Sequence, residues 1–193
     1  MKKIMFNDKF SLTQAVLEGR KTMTRRIVSE KLLDRWTDYD EKDFFLNNAP
    51  YKLGEVVAIA QSYMDVDRFH RKGKNAAYLE YLDSILPELK LYPGWGNKMF
   101  AKADLMPHHI EITGIKVERL QDISDEDCLK EGIIHAYTDN NGIKRYHTPH
   151  TKRGYLSTDV AQQAFSFLID KVSGKGTWES NPFVFAYEFV LVD

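Results

Sequence analysis

Four things are scarce in this chain, and each scarcity removes a class of answer. Cysteine occurs once, at Cys128, so neither an intrachain disulfide framework nor a cysteine-based zinc site can form. That usage suits a reducing compartment. No apolar run approaches the roughly 18 residues that a membrane-crossing helix needs, and Lys2 and Lys3 are followed by no apolar stretch of signal length. The expected location is the cytoplasm, with no membrane partner. Charge of one sign is scarce as well: 27 basic residues face 28 acidic ones, for a net charge of −1. Tight non-specific binding of nucleic acid draws on many lysine and arginine contacts to phosphate, so any such contact must use a local patch. Internal repeats and low-complexity linkers are absent too.

What is present is a core. The 193 residues are 43% apolar and 12% aromatic, enough for one domain without staples. An apolar piece at Ile4–Phe6 reads as a strand. Ser11 and Gln14 have capping-box spacing ahead of a helix carrying Leu12, Ala15 and Val16 on one face, with Gly19 as its left-handed stop. Thr22–Val28 follows as a strand. Residues 29–50 read as a helical insertion, Leu53-Gly54-Glu55 as a turn, and Val56–Ala60 as a buried strand. A second insertion, about 64–92, places Tyr78, Leu82, Ile85 and Leu86 at helical spacing over Asn75–Leu86, with Pro87 ending the helix. Before it, the basic run Arg71-Lys72-Gly73-Lys74 reads as solvated surface.

Met99–Ala103 and Ile110–Val117 read as two more strands. Ser124 and Asp127 repeat the capping-box spacing before a short helix that stops at Gly132. Ile133–Tyr137 and Ile143–His147 flank Asn140-Asn141-Gly142, a hairpin turn. A helix beginning near Thr158 has Val160, Ala164, Phe167, Leu168 and Val172 on one side. Phe183–Val192, apolar on both faces save Glu188, predicts a central strand. Short strands interrupted by helices, without a βαβ rhythm, predict an α+β fold.

The densest chemical signal is Gly19-Arg20-Lys21-Thr22-Met23-Thr24-Arg25-Arg26, with four cations and two hydroxyls at a helix-to-strand junction. On a strand, Thr22, Thr24 and Arg26 share one face while Met23 and Arg25 take the other. Such a group can hold a phosphate or polarise a carbonyl. A solvated turn whose cations favour the helix C-terminus is the plainer alternative.

The stretch Leu17-Glu18-Gly19-Arg20-Lys21-Thr22-x-Thr24-x-Arg26 closely resembles the signature opening of ASCH proteins. Further landmarks follow in order. Leu53-Gly54-Glu55-Val56-Val57 resembles the family's Gly-Asp-hydrophobic strand opening, and Ile112–Ser124 its strand and helix cap. Glu126–Gly132 resembles its Glu-x-Ala-x-x-Glu-Gly helix, with Cys128 in place of the small residue. Gly176–Phe189 is similar to the closing segment of larger members. These cover about half of the chain. Where larger members carry an Arg-Glu-x-Trp-like run, this sequence has Ala60-Gln61-Ser62-Tyr63.

The resemblance implies a PUA-like mixed β-barrel of about six strands with peripheral helices, the two insertions lying between the shared landmarks in a single domain, 1–193. It also implies action on RNA or on nucleosides. Some small bacterial members are amidohydrolases that remove the acetyl group from acetylcytidine with a Lys, a Thr and a Glu, which match Lys21, Thr24 and Glu131 here. A threonine hydroxyl needs a neighbouring base to become a nucleophile. Lysine is that base only if burial or a nearby cation lowers its pKa, and a glutamate can orient the lysine or carry the proton onward.

Three functions follow as expectations. One is binding of RNA or a modified nucleoside in a basic cleft through Lys21, Arg20, Arg25, Arg26, Gln61 and Tyr63, with Gln61 reading a base edge and Tyr63 stacking. Another is deacylation of an acylated cytidine-type nucleoside by Lys21, Thr24 and Glu131. The third is a protein-interaction module that presents its insertions. No cofactor is expected. His108-His109 and His147-Thr-Pro-His150 lack metal-ligand spacing, so no metal is expected either. Trp95, between two glycines, reads as a loop anchor, and Trp178 and Tyr187 as core.

Overall fold

The computed structural model describes residues 1–36, 41–73, 76–149 and 156–192. In chain order these form β1 (Lys3–Ile4), α1 (Leu12–Leu17), β2 (Met23–Ile27), α2 (Glu30–Leu33), α3 (Glu41–Asn48), β3 (Val56–Ile59), α4 (Tyr63–Gly73) and α5 (Ala76–Leu89). There follow β4 (His109–Arg119), α6 (Asp125–Lys130), β5 (Ile134–Thr138), β6 (Lys144–His147), β7 (Ser157–Thr158), α7 (Ala161–Ser173), α8 (Thr177–Ser180) and β8 (Phe183–Leu191). The fold is mixed α+β, and neither of its two sheets closes into a barrel among the described residues. No described helix is long and apolar enough to cross a membrane. The chain divides into two compact units: Met1–Phe6 with Val56–Ile110 and Val192–Asp193, and Asn7–Glu55 with Glu111–Leu191.

In the first unit β1 runs parallel to β3, with Lys3 opposite Ala58 and Ile4 opposite Ile59. Tyr63 and Val66, three apart and so on one face of α4, pack with Ala58, Ala101 and Met106; Leu89, Trp95, Ala103 and Leu105 lie against that cluster. Trp95 is therefore an anchor, as its glycine setting suggested. Two lysines then tie down the turn around residue 100. The Lys3 amine donates to the carbonyls of Lys98 at 3.1 Å and Met99 at 2.7 Å, and also to that of Ala101. Lys98 donates in return to the Phe6 carbonyl.

In the second unit β8 lies between β4 and β2. It pairs antiparallel with β2 from Met23–Glu188 through Ile27–Val184. Val184, Phe185, Ala186, Tyr187 and Phe189 are buried, which is what a central strand with apolar side chains on both faces requires. Phe45 of α3 stacks on Phe183 with 6.0 Å between centroids, and Trp36 meets the same ring edge-on. The hairpin β5–β6 is antiparallel with an irregularity between His135 and Tyr137, and β7 extends it beyond β6.

Several expectations change. Ser11 adopts a left-handed conformation and its side chain makes no cap; Gln14 donates instead to Glu18 at 2.8 Å. Met99–Ala103 forms turns rather than a strand, because its carbonyls face the Lys3 amine instead of a neighbouring strand. Pro87 does not end α5, which continues to Leu89. The buried stripe of α7 is Ala161, Ala164, Phe165, Leu168 and Ile169, while Phe167 and Val172 face outward. The first three residues of the basic run, Arg71 to Gly73, belong to α4, where Arg71 pairs with Asp67 at 2.8 Å. Lys74, Asn75 and His150 lie outside the described residues, as do the side chains of Tyr78, Leu82 and Leu86.

Candidate functional site

The site grows from the end of α1. Gly19 takes φ +70°, a left-handed geometry that costs glycine nothing. The chain then folds back so that the Arg20 and Lys21 amides both donate to the Ala15 carbonyl, at 2.9 and 3.0 Å. The next residue is stitched on both sides: Thr22 N–H donates to the Lys130 carbonyl at 2.9 Å, and Phe189 N–H donates to the Thr22 carbonyl at 3.0 Å. Lys21 is thereby fixed between a helix stop and a strand start, beside the C-terminus of α6.

That helix brings the carboxylates. Its N-cap is Ser124, whose hydroxyl accepts the Asp127 N–H at 3.1 Å, as the spacing predicted. Asp127 and Glu131 stand four apart, so their side chains emerge from one face. On β4, Lys116 and Glu118 stand two apart and share a face. These four groups and the odd-numbered face of β2 meet in a cluster that is buried at Asp127 and Glu131 and half-exposed at Lys116.

Lys21 is 2% exposed. Its amine donates to Glu131 Oε2 at 2.7 Å, to the Glu131 carbonyl at 2.8 Å and to the Met23 carbonyl at 2.8 Å. Arg25 spreads its guanidinium over three carboxylates. Nε and Nη2 donate to Glu118 Oε1 at 2.9 and 2.6 Å, Nη2 to Asp127 Oδ2 at 2.8 Å, and Nη1 to Glu131 Oε1 at 3.2 Å. Lys116 completes the set, donating to Asp127 Oδ2 at 2.7 Å. Three cations thus balance three carboxylates, the condition under which charge survives burial.

Burial pushes the Lys21 amine below its ordinary range; Glu131 pulls it back up, while Arg26 and Arg25 add to the depression. Burial also works against the charge on Arg25, but Glu131, Glu118 and Asp127 outweigh it and raise its pKa. For Asp127 burial opposes ionisation, yet Lys116 and Arg25 hold the carboxyl below its usual value. Burial raises the thiol of Cys128 to about 12, which leaves it inert.

The structure brings Lys21 and Glu131 into contact and adds Arg25. Thr24 is buried as well, but the pleat of β2 turns it to the face opposite Arg25, the face it shares with Arg26. Arg26 sits near Tyr51 and Tyr187; burial lowers its pKa against their pull. Arg20 stays outside, its Nε donating to Glu18 at 2.8 Å. Gln61 and Tyr63 belong to the first unit. There the Tyr63 hydroxyl accepts the Lys102 N–H at 3.0 Å and its ring is 4% exposed, so it packs in a core and offers no stacking face. The backbone N–H of Gln61 donates to the Met106 sulfur at 3.1 Å.

Sequence reasoning missed Glu118, Asp127 and Lys116. The alternation Lys116-Val117-Glu118 and the four-residue step from Asp127 to Glu131 carried the signal, but Asp127 was legible only as a cap partner. Among the described residues no three His, Cys, Asp or Glu groups converge to hold a metal. No family model, curated protein or solved structure matches this chain.

Proposed function

We propose that the chain is an ASCH-type, PUA-like protein that hydrolyses the acyl amide of an acylated cytidine-type nucleoside, with Lys21 and Glu131 handling the proton. One observation carries the reading: a buried amine with a depressed pKa, 2.7 Å from a buried carboxylate. Lysine becomes a competent base at neutral pH only when its environment favours the neutral amine, and burial supplies that bias.

A neutral amine keeps two N–H bonds and one lone pair, so Lys21 releases one of its three acceptors on acting as base. It takes the proton from the Thr24 hydroxyl or from water. The oxygen attacks the acyl carbon, the C–N bond breaks, and the proton passes to the leaving exocyclic nitrogen; where Thr24 attacks, the acyl group is left as its ester and water then hydrolyses that ester, restoring the hydroxyl. Water in and carboxylate plus free amine out balance the reaction. Arg25 positions Glu131 and touches no substrate.

A second reading keeps the ligand and drops the chemistry. Three acceptors ringing the amine suit an ammonium, and such a lysine would hold Glu131 in place for nucleoside binding. Cations spent on carboxylates are poorly placed to take RNA phosphates, so either reading favours a nucleoside over an RNA backbone.

The test is release of cytidine and acetate from acetylcytidine by the purified protein. Turnover that disappears in Lys21→Ala and Glu131→Gln, with folding intact by circular dichroism, supports hydrolysis. Thr24→Ala separates the nucleophiles, since activity survives there only if water attacks. Saturable binding of acetylcytidine without turnover favours the second reading, and neither binding nor turnover defeats both.

A further inference from the structure

A surface segment that is basic throughout lies in the first unit, away in sequence from the candidate site. From residue 89 to 103 the chain carries Lys90, Lys98 and Lys102 and no acidic residue, in a protein of net charge −1. The same segment exposes large apolar groups. Leu91 is 86% exposed, Tyr92 59%, Met99 56% and Phe100 57%. Scattered exposed apolar residues need no explanation, but four in ten residues interleaved with lysines form a patch.

The backbone under this patch is fixed. Trp95 N–H donates to the Tyr92 carbonyl at 2.9 Å, Asn97 N–H to Pro93 at 3.1 Å, and Phe100 N–H to Asn97 at 3.0 Å, so turns interlock across the stretch. Gly94 packs so tightly that a Cβ there would lie 3.1 Å from the backbone of Phe100 and 2.7 Å from the Tyr63 ring. The Lys3 amine gathers the carbonyls of Lys98, Met99 and Ala101 from below. Trp95, the one large aromatic of the segment turned inward, anchors it to the core, and Lys90 rests 5.6 Å from that ring. Tyr92 and Phe100 are thus aromatic side chains on a rigid base, held outward at the expense of solvating their rings.

We infer that this ridge is a docking surface for single-stranded nucleic acid, with unstacked bases on Tyr92 and Phe100 and backbone phosphates on Lys90 and Lys102. Aromatic faces supply sequence-tolerant stacking and lysines supply the phosphate contacts, the pairing that single-strand binders use. Charge complementarity selects this occupant: a polyanion with flat apolar faces matches two exposed lysines and two outward rings. A membrane surface is the poorer match, because lipid-bound segments bury a continuous amphipathic helix face and this segment is built of turns. The inference is independent of the hydrolytic reading and stands if that reading fails.

Fluorescence anisotropy of a labelled mixed-sequence 12-nucleotide RNA, titrated with the full chain, tests it; single-stranded DNA of the same sequence forms a second arm. Binding to either single strand is expected, weaker for the duplex. Tyr92→Ala and Phe100→Ala should each weaken it about 5- to 150-fold, the range for losing one stacked base. Lys90→Ala and Lys102→Ala should each reduce the slope of log affinity against log salt by about 0.7. These side chains point outward, so an unchanged urea midpoint shows that the variants fold. Absence of binding overturns the inference, as does binding indifferent to both aromatic substitutions. Retention on phosphatidylserine vesicles with no oligonucleotide binding overturns it as well.

Discussion

Two of the cation-bearing segments of this protein behave in opposite ways. Gly19–Arg26 holds four cations in eight residues, and the structure turns Lys21 and Arg25 inward onto Glu131, Asp127 and Glu118. The ridge at 89–103 holds three lysines in a longer stretch, leaves Lys90 and Lys102 exposed and spends Lys98 on a backbone carbonyl. A basic run in a sequence is therefore not yet a basic surface. What decides is whether carboxylates from distant elements are available to neutralise it. Interior cations such as Lys21 acquire shifted proton affinities and can do chemistry, whereas exposed cations can meet a polyanion.

The comparison breaks most visibly at Arg25. Replacing it with Ala removes the guanidinium that three carboxylates share, two of them buried, leaving Glu131 on Lys21 and both Asp127 and Glu118 on the half-exposed Lys116, and should cost about 3–5 kcal/mol of folding stability, read from urea melts. Lys102→Ala on the ridge should change the same midpoint by no more than about 0.5 kcal/mol. Equal effects at the two positions would erase the distinction drawn here. A smaller loss is expected at Gly132, which sits at φ +105° with the Leu12 side chain 3.4 Å and the Lys21 stem 3.8 Å from where a Cβ would stand. Gly132→Ala should cost about 1–3 kcal/mol through backbone strain. Tyr63→Phe, which removes the hydroxyl accepting the Lys102 N–H, should cost about 1 kcal/mol.

Smallest of all, and most specific to the buried cluster, is a dependence on pH. The Asp127 carboxyl is held below its ordinary value of 3.8, by Lys116 and Arg25 against the effect of burial. In the window just below 3.8 the unfolded chain therefore binds more protons, so stability rises with pH there and is lost as pH falls through the folded value. Lys21 has the same sign at the other end. Its folded pKa is depressed below 10.5, so the unfolded chain again binds more protons and stability rises as pH climbs toward 10.5. Asp127→Asn should flatten the acid limb of a stability-against-pH curve and Lys21→Met the alkaline limb.

Much of the fold was legible because its signals are local. Thr22–Val28 brackets β2, the Ser124 cap marks the start of α6, and Asn140-Asn141-Gly142 turns the β5–β6 hairpin. Two misreadings have different causes, one a partner remote in sequence and one a competing local turn. Met99–Ala103 has the apolar content of a strand, but its carbonyls are taken by Lys3, more than 90 residues earlier. Ser11 has a capping-box spacing, but it closes a preceding turn by accepting a left-handed conformation. At the candidate site the remote partner is again the limit. Lys21 and Glu131 could be named from the ASCH resemblance, whereas Glu118 and Asp127 become visible only when β4 and α6 are seen to face Arg25. The pleat of β2 was foreseen with Thr24 opposite Arg25, but a cluster on the Arg25 side was not.

The most direct measurement is an NMR titration of the Lys21 side chain, following its 13Cε and 15Nζ shifts and assigning them by their loss in Lys21→Met. The account predicts a midpoint below the ordinary lysine value of 10.5, moving lower still when Glu131→Gln removes the carboxylate that opposes burial. A midpoint at or above 10.5 would contradict it, because Lys21 would then be a fixed ammonium with no capacity to act as a base.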